Sequence, residues 1–169
     1  MAEDLSKEEL SKKLQLAAEL STALDGLWFL AVEKAMGFDK ALDMDIDVWA
    51  KYAPVSVRRM RKYFNLSENG LQAIKEVIKY DPIWFSIDFE FMENTPQRLV
   101  FQVNRCPVLE AQERMGRKIL TCVPVETAYL SKLAEALDPR IRFKALRLPP
   151  RQSPDEMCCS WLFFLEDSV

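Results

Sequence analysis

The fold of this 169-residue chain is decided by one central stretch, Phe85-Ser86-Ile87-Asp88-Phe89-Glu90-Phe91. Its apolar and polar residues alternate, which is typical of a β-strand with one face buried and the other in water. The apolar residues before Pro82 instead recur with the 3.6-residue period of a helix. This change of period predicts an α+β protein, with helices first and a sheet after them.

The sheet is expected to be antiparallel and to have roughly four strands. The turn composition of residues 93–96, followed by further alternation, predicts that the central strand forms a hairpin with the next one. Two more strands are expected at 141–148 and 157–165, and the second is apolar on both faces, which is typical of a central strand. Helices at about 107–115 and 126–137 should cover the sheet.

The N-terminal part is predicted to be a helical hairpin. Ser6 and Glu9 have the spacing of a capping box and should begin a long helix that ends near Gly37. Asp39 is expected to cap a second helix. Within that helix, Pro54 removes a backbone donor and should cause a kink or a break.

Two regions follow from these patterns. Residues 1–80 should form a helical region, in which a third helix begins near Ser67 and ends before Pro82. Residues 81–169 should form an α+β region that contains every cysteine. Hydrophobic residues make up 49% of the chain, which is enough for a substantial core, so we expect the two regions to pack as one compact unit.

Charge and hydropathy argue against several classes of protein. The net charge of -3 comes from 23 basic and 26 acidic residues that are well mixed, which disfavours binding to nucleic acid or to anionic lipid. No apolar run approaches the roughly 20 residues of a membrane span. Residues 1–4 are acidic where a secretory signal would be basic and then apolar, so we expect a cytoplasmic location.

The chain has four cysteines and no histidine. Without imidazole, any chemistry at neutral pH must depend on thiols and carboxylates. The cysteines all lie in the second half: Cys106, Cys122, Cys158 and Cys159. In a reducing cytoplasm such cysteines are metal ligands, catalytic groups or core residues more often than structural disulfides.

Two of the cysteines are expected at the beginnings of helices. Cys106 precedes Pro107, a residue favoured at the first helical position, so free backbone N–H groups should surround its sulfur and lower its pKa. Cys122 repeats this arrangement before Pro124. Because strand ends and helix beginnings can meet at one edge of a sheet, we expect the two thiols to lie around one pocket.

The other two cysteines are adjacent on a predicted strand, where neighbouring side chains point to opposite faces. Only one of Cys158 and Cys159 should therefore reach the pocket, and Cys159 is in the leading hypothesis. Three thiolates and one carboxylate would make a zinc-like shell. Glu126 is a candidate for that carboxylate, as are Glu110 and Glu113.

Two other interpretations of the thiols remain open. In one, Cys106 is a catalytic nucleophile that a carboxylate assists in place of histidine. In the other, all four cysteines are small buried hydrophobic residues.

Candidate ligand-binding residues outside this set include Asp25 and Glu33, which lie about two turns apart on the first helix. They would hold a metal or a basic group, or else pair with nearby bases. Trp28 and Trp161 would line a ligand slot, or else fill the core. The apolar stripe of the first helix is wider than one short partner would cover, which suggests a homodimer through the N-terminal helices.

A set of short segments spread over nearly the whole chain occurs in a familiar combination. They are Asp25-Gly26-Leu27-Trp28-Phe29, Glu33-Lys34, Asp47-Val48-Trp49, Arg105-Cys106-Pro107, Gly116, Cys122, Asp138-Pro139-Arg140-Ile141, Pro149-Pro150 and Cys159-Ser160-Trp161. Together they resemble a family of uncharacterised bacterial and archaeal cytosolic proteins related to the L-2-amino-thiazoline-4-carboxylic acid hydrolase family. More remotely, they are similar to ligand-sensing domains of the 4-vinyl-reductase type.

The resemblance implies one of two activities. The hydrolase relatives imply opening of a cyclic amidine or thiazoline ring at a carbon–nitrogen bond by water, and the sensor relatives imply a small hydrophobic ligand and a metal held by cysteines. The shared cysteines match Cys106, Cys122 and one of the last pair. The segment 145–154 lacks the additional cysteine and histidine of the closer family, which indicates a reduced metal shell or a lost activity.

The leading hypothesis is a cytosolic small-molecule or metal-binding protein in which Cys106, Cys122 and Cys159 hold a zinc-like metal. The second is a hydrolase of a cyclic amidine that uses Cys106 or a metal-bound water. The third is a non-catalytic module for ligand sensing or oligomerisation.

Overall fold

The computed structural model describes residues 5–166, which form five α-helices, one 3-10 helix and one four-stranded antiparallel sheet. The helices are α1 (Lys7–Met36), α2 (Phe38–Phe64), α3 (Gly70–Tyr80), α4 (Pro107–Arg114) and α5 (Cys122–Leu137). The strands are β1 (Asp88–Asn94), β2 (Arg98–Arg105), β3 (Ile141–Arg147) and β4 (Cys159–Leu165). The predicted α+β class is confirmed. The acidic residues 1–4, on which the expected location rests, lie outside the described residues.

The helical hairpin begins and ends with local hydrogen bonds. Ser6 Oγ accepts the Glu9 N–H at 3.2 Å, and the Glu9 carboxylate accepts the Ser6 N–H at 2.9 Å, as a capping box predicts. Gly37 ends α1 with a φ of +89°, a conformation that favours glycine, and it is also the residue before α2. The cap residue of α2 is therefore Gly37. The expectation that Asp39 caps this helix is wrong.

The second helix continues through Pro54, so the expected break is wrong. The face of α2 that packs along α5 includes Ala53 and Val57, which are both buried. An internal proline costs a helix about 3 kcal/mol. We infer that burial of this face offsets that cost.

The first strand begins later than the alternating pattern indicated. Pro82–Ser86 forms a 3-10 helix, and β1 starts only at Asp88. The Asp81 carboxylate accepts the Ile83 N–H at 3.3 Å and the Tyr52 hydroxyl at 2.8 Å. This capping interaction and the following proline favour a helical turn, so the first part of the alternating stretch is not a strand.

The strand order is β1-β2-β4-β3, so β4 lies between two strands, as its apolar composition predicted. In the β2–β4 pair, Phe101 is opposite Trp161 and Val103 is opposite Cys159. One cluster of buried residues joins helices and sheet, and it includes Ile74 of α3, Leu130 of α5 and Phe163 of β4. Residues from both predicted regions thus share one core.

The long first helix contributes little to that core. It packs on α2 and on the 3-10 helix, and of residues Lys7–Met36 only Ala18 is buried. None of the helices between residues 5 and 166 has the length and apolar composition needed to cross a bilayer.

Candidate functional site

A cavity of about 60 Å³ lies where strands β2 and β4 meet helices α4 and α5. Most of its wall is apolar. The residues in its wall that can carry chemistry are the four cysteines, Glu126 and Trp161. We call this space the thiol cavity.

The topology explains how distant thiols come together. Cys106 follows β2 directly and is the residue before α4. Val103 of β2 is paired with Cys159, the first residue of β4. Cys122 is the first residue of α5, which begins four residues earlier than the sequence indicated, and Glu126 lies one turn further on the same face of that helix.

Both Cys158 and Cys159 line the cavity, so the expectation that only one of them would do so is wrong. The alternation of side chains applies within a strand, and β4 begins only at Cys159. The Cys158 N–H donates to the Val103 carbonyl at 2.8 Å, and its thiol donates to the Asn104 carbonyl at 3.4 Å. These two bonds fix Cys158 outside the regular strand geometry.

Burial keeps the thiols protonated at neutral pH. It raises the pKa of Cys106 to about 11 and that of Cys122 to about 12, and it also raises the pKa of Cys158 and Cys159. The backbone N–H groups of residues 108 and 109 lower the pKa of Cys106, but by less than burial raises it. The expected lowering of the Cys106 pKa is therefore wrong, and this environment disfavours an activated thiolate.

Glu126 is the acidic group of the cavity. Its Oε1 atom is buried and has no hydrogen-bond partner among residues 5–166. Burial raises the pKa of Glu126 to about 7, because the ionised carboxylate loses its hydration there. The side chain is thus divided between its neutral and its charged form near neutral pH.

Trp161 supplies a second polar atom. The residue is 3% exposed, and its Nε1 has no hydrogen-bond partner in the described part of the chain. The indole N–H lies close enough to the Cys159 sulfur to favour its thiolate form without forming a hydrogen bond, although burial of that thiol is the larger effect on its pKa. Carboxyl and indole groups therefore accompany the thiols in an otherwise apolar space.

No group of three or more histidine, cysteine, aspartate or glutamate side chains between residues 5 and 166 is arranged to hold a metal ion. Thiolate ligands of one zinc ion lie about 2.3 Å from it and hence within about 4 Å of each other. The thiols share a cavity without forming such a shell. The zinc-like centre stays a prediction.

Of the three candidate carboxylates, only Glu126 lines the cavity. Glu110 pairs with Arg105 at 3.2 Å, and Glu113 pairs with Arg151 at 2.5 Å. The Arg151 side chain is only 4% exposed and also donates to carbonyls of its own loop. These two acids therefore hold chain segments together around the cavity.

Three residues predicted to bind a ligand lie away from the cavity wall. Glu33 forms a two-pronged ion pair with Arg117 at 2.5 and 3.0 Å, and Trp28 is 67% exposed. Asp25 is half-buried between α1 and α2, and burial raises its pKa while the Trp49 side chain lowers it. Trp161 is thus the only one of the four predicted ligand-binding residues that lines the cavity.

Two features of these sites were not predicted from the sequence. Leu148 and Pro149 complete the cavity wall from the loop after β3, and only the double proline indicated that this loop is stiff. Asp45 lies close enough to Asp25 to feel its charge, and burial together with that charge raises the Asp45 pKa to about 6. No sequence signal indicated this pairing across two helices.

Comparison with known protein families matches residues 3–165 to a family of unknown function (DUF6125). No curated protein and no solved structure matches the chain. The resemblance to the thiazoline hydrolase family stays a prediction, because these comparisons do not test it.

Proposed function

We propose that this chain, which belongs to the family of unknown function DUF6125, binds a small ring-shaped nitrogen base in the thiol cavity, with Glu126 as its anchor. The observation that carries this proposal is the buried Oε1 atom of Glu126, which lacks a partner among residues 5–166. A buried polar atom without a hydrogen bond costs about 1–3 kcal/mol. A ligand that donates a hydrogen bond to this oxygen would recover that free energy.

The cavity also indicates the class of ligand. Its volume of about 60 Å³ suits a ring of about five heavy atoms, since one water-sized group needs about 10–15 Å³. A nitrogen base would donate to Glu126 and, with a pKa above about 7, would take the proton from that carboxyl to form an ion pair. Another atom of the ring would accept the Trp161 N–H. Small nitrogen bases such as cyclic amidines satisfy these requirements.

The test is thermal unfolding of the full chain with 2-amino-2-thiazoline, a cyclic amidine, and with thiazole, a ring of similar size that is a far weaker base. We expect the amidine to raise the melting temperature of the wild type and thiazole to have little effect. Glu126→Gln should abolish the shift. The control Glu135→Gln, which changes an exposed acid on the same helix, should keep it.

Equal shifts for both rings, or an unchanged amidine shift in Glu126→Gln, would contradict the role of Glu126. If neither this amidine nor other small nitrogen bases bind, the proposed ligand class is wrong.

A second candidate, hydrolysis of a cyclic amidine, is supported by the pKa of Glu126, which lies near the pH at which a general base works best. The Glu126 carboxylate would take a proton from water while the water oxygen bonds to the carbon of the protonated amidine and the π electrons of its carbon–nitrogen double bond move to the exocyclic nitrogen. Glu126 would then return the proton to the ring nitrogen, which leaves with the bonding electron pair as its bond to the carbon breaks. The hydroxyl proton would pass to the released amine as the carbonyl forms. In this scheme Cys106 contributes to the cavity wall and is not the nucleophile.

Release of product from 2-amino-2-thiazoline would distinguish catalysis from binding alone. Hydrolysis should disappear in Glu126→Gln and persist in Cys106→Ser. Loss of hydrolysis in Cys106→Ser, with amidine binding retained, would instead favour the cysteine nucleophile.

A further inference from the structure

Helix α1 has an apolar surface that the rest of the described chain does not cover. Its large side chains there are 49–68% exposed. They are Leu14, Leu16, Leu20, Leu24, Leu27 and Trp28, which we call the outer α1 face. From residue 14 to residue 31 the only charged residues of α1 are Glu19 and Asp25, and Asp25 is half-buried against α2.

The size of this face matches a protein interface. The six side chains expose on the order of 800 Å² in total, which is about what one partner buries in a standard protein–protein interface. Proteins that stay monomeric rarely expose a continuous apolar patch of this size. Two apolar residues of α2, Met44 and Val48, are exposed as well, and Met44 is next in sequence to Asp45, whose pKa the charge of Asp25 raises.

The charges of α1 favour a protein partner over a lipid surface. Helices that lie on membranes carry many lysines and arginines on their polar face. Residues Lys7–Met36 contain four lysines and five acidic residues, which gives a net charge of -1 (4 - 5). This helix is therefore a poor match for anionic lipid.

We infer that the outer α1 face is a dimer interface, in which α1 packs antiparallel against α1 of a second copy of this chain. Glu9 and Lys34 are both exposed, stand at opposite ends of the face and are separated by about seven helical turns, so they lie on the same side of the helix. In an antiparallel pair, Glu9 of each copy lies beside Lys34 of the other copy. A parallel pair would instead place like charges together.

The register follows from the same two charges. Their midpoint along α1 is at the level of Ser21 and Thr22, so the twofold axis of the dimer would pass between the two helices at that level. Leu16 and Leu27 are equally distant from that midpoint, so Leu16 of one copy should lie next to Leu27 of the other. The twofold rotation that pairs the charges therefore also brings the outer α1 faces of the two copies into contact.

The first test is the mass of the full chain in solution, measured by sedimentation equilibrium over a wide range of concentration. We expect the wild type to have twice the chain mass of 19.6 kDa. Leu24→Glu, which places a charge on the face at an exposed site, should yield a folded monomer. Gln15→Glu, which introduces the same side chain on the flank of α1, should remain a dimer.

The second test uses cysteine crosslinking. When the variants Leu16→Cys and Leu27→Cys are mixed and oxidised, the antiparallel register predicts mostly crosslinks between the two variants. Crosslinks mainly within each variant would indicate a parallel pair.

A wild type that is monomeric at every concentration, or a Leu24→Glu variant that remains dimeric, would overturn the inference. Binding of a monomeric wild type to phosphatidylserine vesicles, lost in Leu24→Glu, would overturn it in favour of a lipid surface. None of these outcomes bears on the thiol cavity, so the inference and the proposed function fail or stand separately.

Discussion

Helices α5 and α1 depart in opposite ways from the rule that apolar groups are inside and polar groups outside. Helix α5 buries Tyr129 and Leu133 but also holds the unpartnered oxygen of Glu126 inside the described structure. Helix α1 is longer, yet it buries Ala18 and leaves leucines such as Leu20 in water. Buried polar atoms and large exposed apolar patches are the departures that carry information. From these departures we propose a small ligand at α5 and a second copy of the chain at α1.

The largest expected effect contrasts a buried leucine with an exposed one. Leu133 is 0% exposed, so Leu133→Ala should lower the free energy of unfolding by about 2–5 kcal/mol through lost burial and a cavity. Leu16→Ala on the outer α1 face should change the stability of the single chain by less than about 0.5 kcal/mol. Urea unfolding at several protein concentrations measures both.

Any additional loss of stability in Leu16→Ala should depend on protein concentration, because it would come from dissociation of a dimer. If Leu133→Ala and Leu16→Ala lost the same free energy of unfolding at every protein concentration, the two helices would not differ in the way described here.

The next effect concerns the acid inside α5. Burial raises the Glu126 pKa from 4.5 to about 7 in the folded chain. Between these two values the unfolded chain loses its proton while the folded chain keeps it. Stability that is fully present below about pH 4.5 is therefore lost as the pH rises through about 7.

Glu126→Gln removes this titration. The variant should match the wild type near pH 4.5 and exceed its stability by about 2–3 kcal/mol near pH 8. The thiols around Glu126 stay neutral over this range, because burial raises their pKa values as well. Urea unfolding across the pH range checks the difference, and a variant less stable than the wild type near pH 8 would contradict the buried, unpartnered carboxylate.

A thiol inside the cavity and one on the outer α1 face should differ in reactivity. Burial raises the pKa of Cys106 from 9.0 to about 11, so it forms about a hundredfold less thiolate at neutral pH than an unperturbed cysteine. The cysteine introduced in Leu16→Cys, made in the Leu24→Glu chain so that no second copy covers it, is exposed and should react at the ordinary rate. Alkylation followed by mass spectrometry measures both rates, and an equally fast Cys106 would restore the nucleophile hypothesis.

Local signals allowed much of the fold to be predicted. The capping box at Ser6 and Glu9 involves neighbouring residues, so the sequence alone placed the start of α1. The start of β1 was misplaced because Asp81 caps a helical turn that begins at Pro82, and Asp81 is itself held in place by Tyr52 of another helix. The ends of elements depend on such distant contacts where a polar side chain is buried.

At the thiol cavity, too, local properties were predicted correctly and properties that depend on distant contacts were not. The positions of Cys106 and Cys122 at helix beginnings are local properties, and they were enough to predict that the two thiols lie around one pocket. The pKa of Cys106 depends on burial by residues far along the chain, including Leu148 and Pro149. The direction of its pKa shift was therefore predicted wrongly. Nothing in the sequence indicated that Glu126 would be left without a partner in the described structure.

The smallest expected effect concerns the attachment of α1 to the rest of the chain. Glu33 and Arg117 form a two-pronged ion pair, and the Arg117 guanidinium lies 5.4 Å from the centre of the Phe29 ring. Both charged side chains keep part of their surface in water, so we expect a coupling free energy of about 1 kcal/mol in a double-mutant cycle of Glu33→Gln and Arg117→Met. The coupling should be stabilising, because Arg117 lowers the pKa of Glu33 and so favours the ionised carboxylate. Raising the salt concentration should reduce the coupling. A coupling near zero would mean that the packing of α1 on α2 and on the 3-10 helix holds the helix in place without this ion pair.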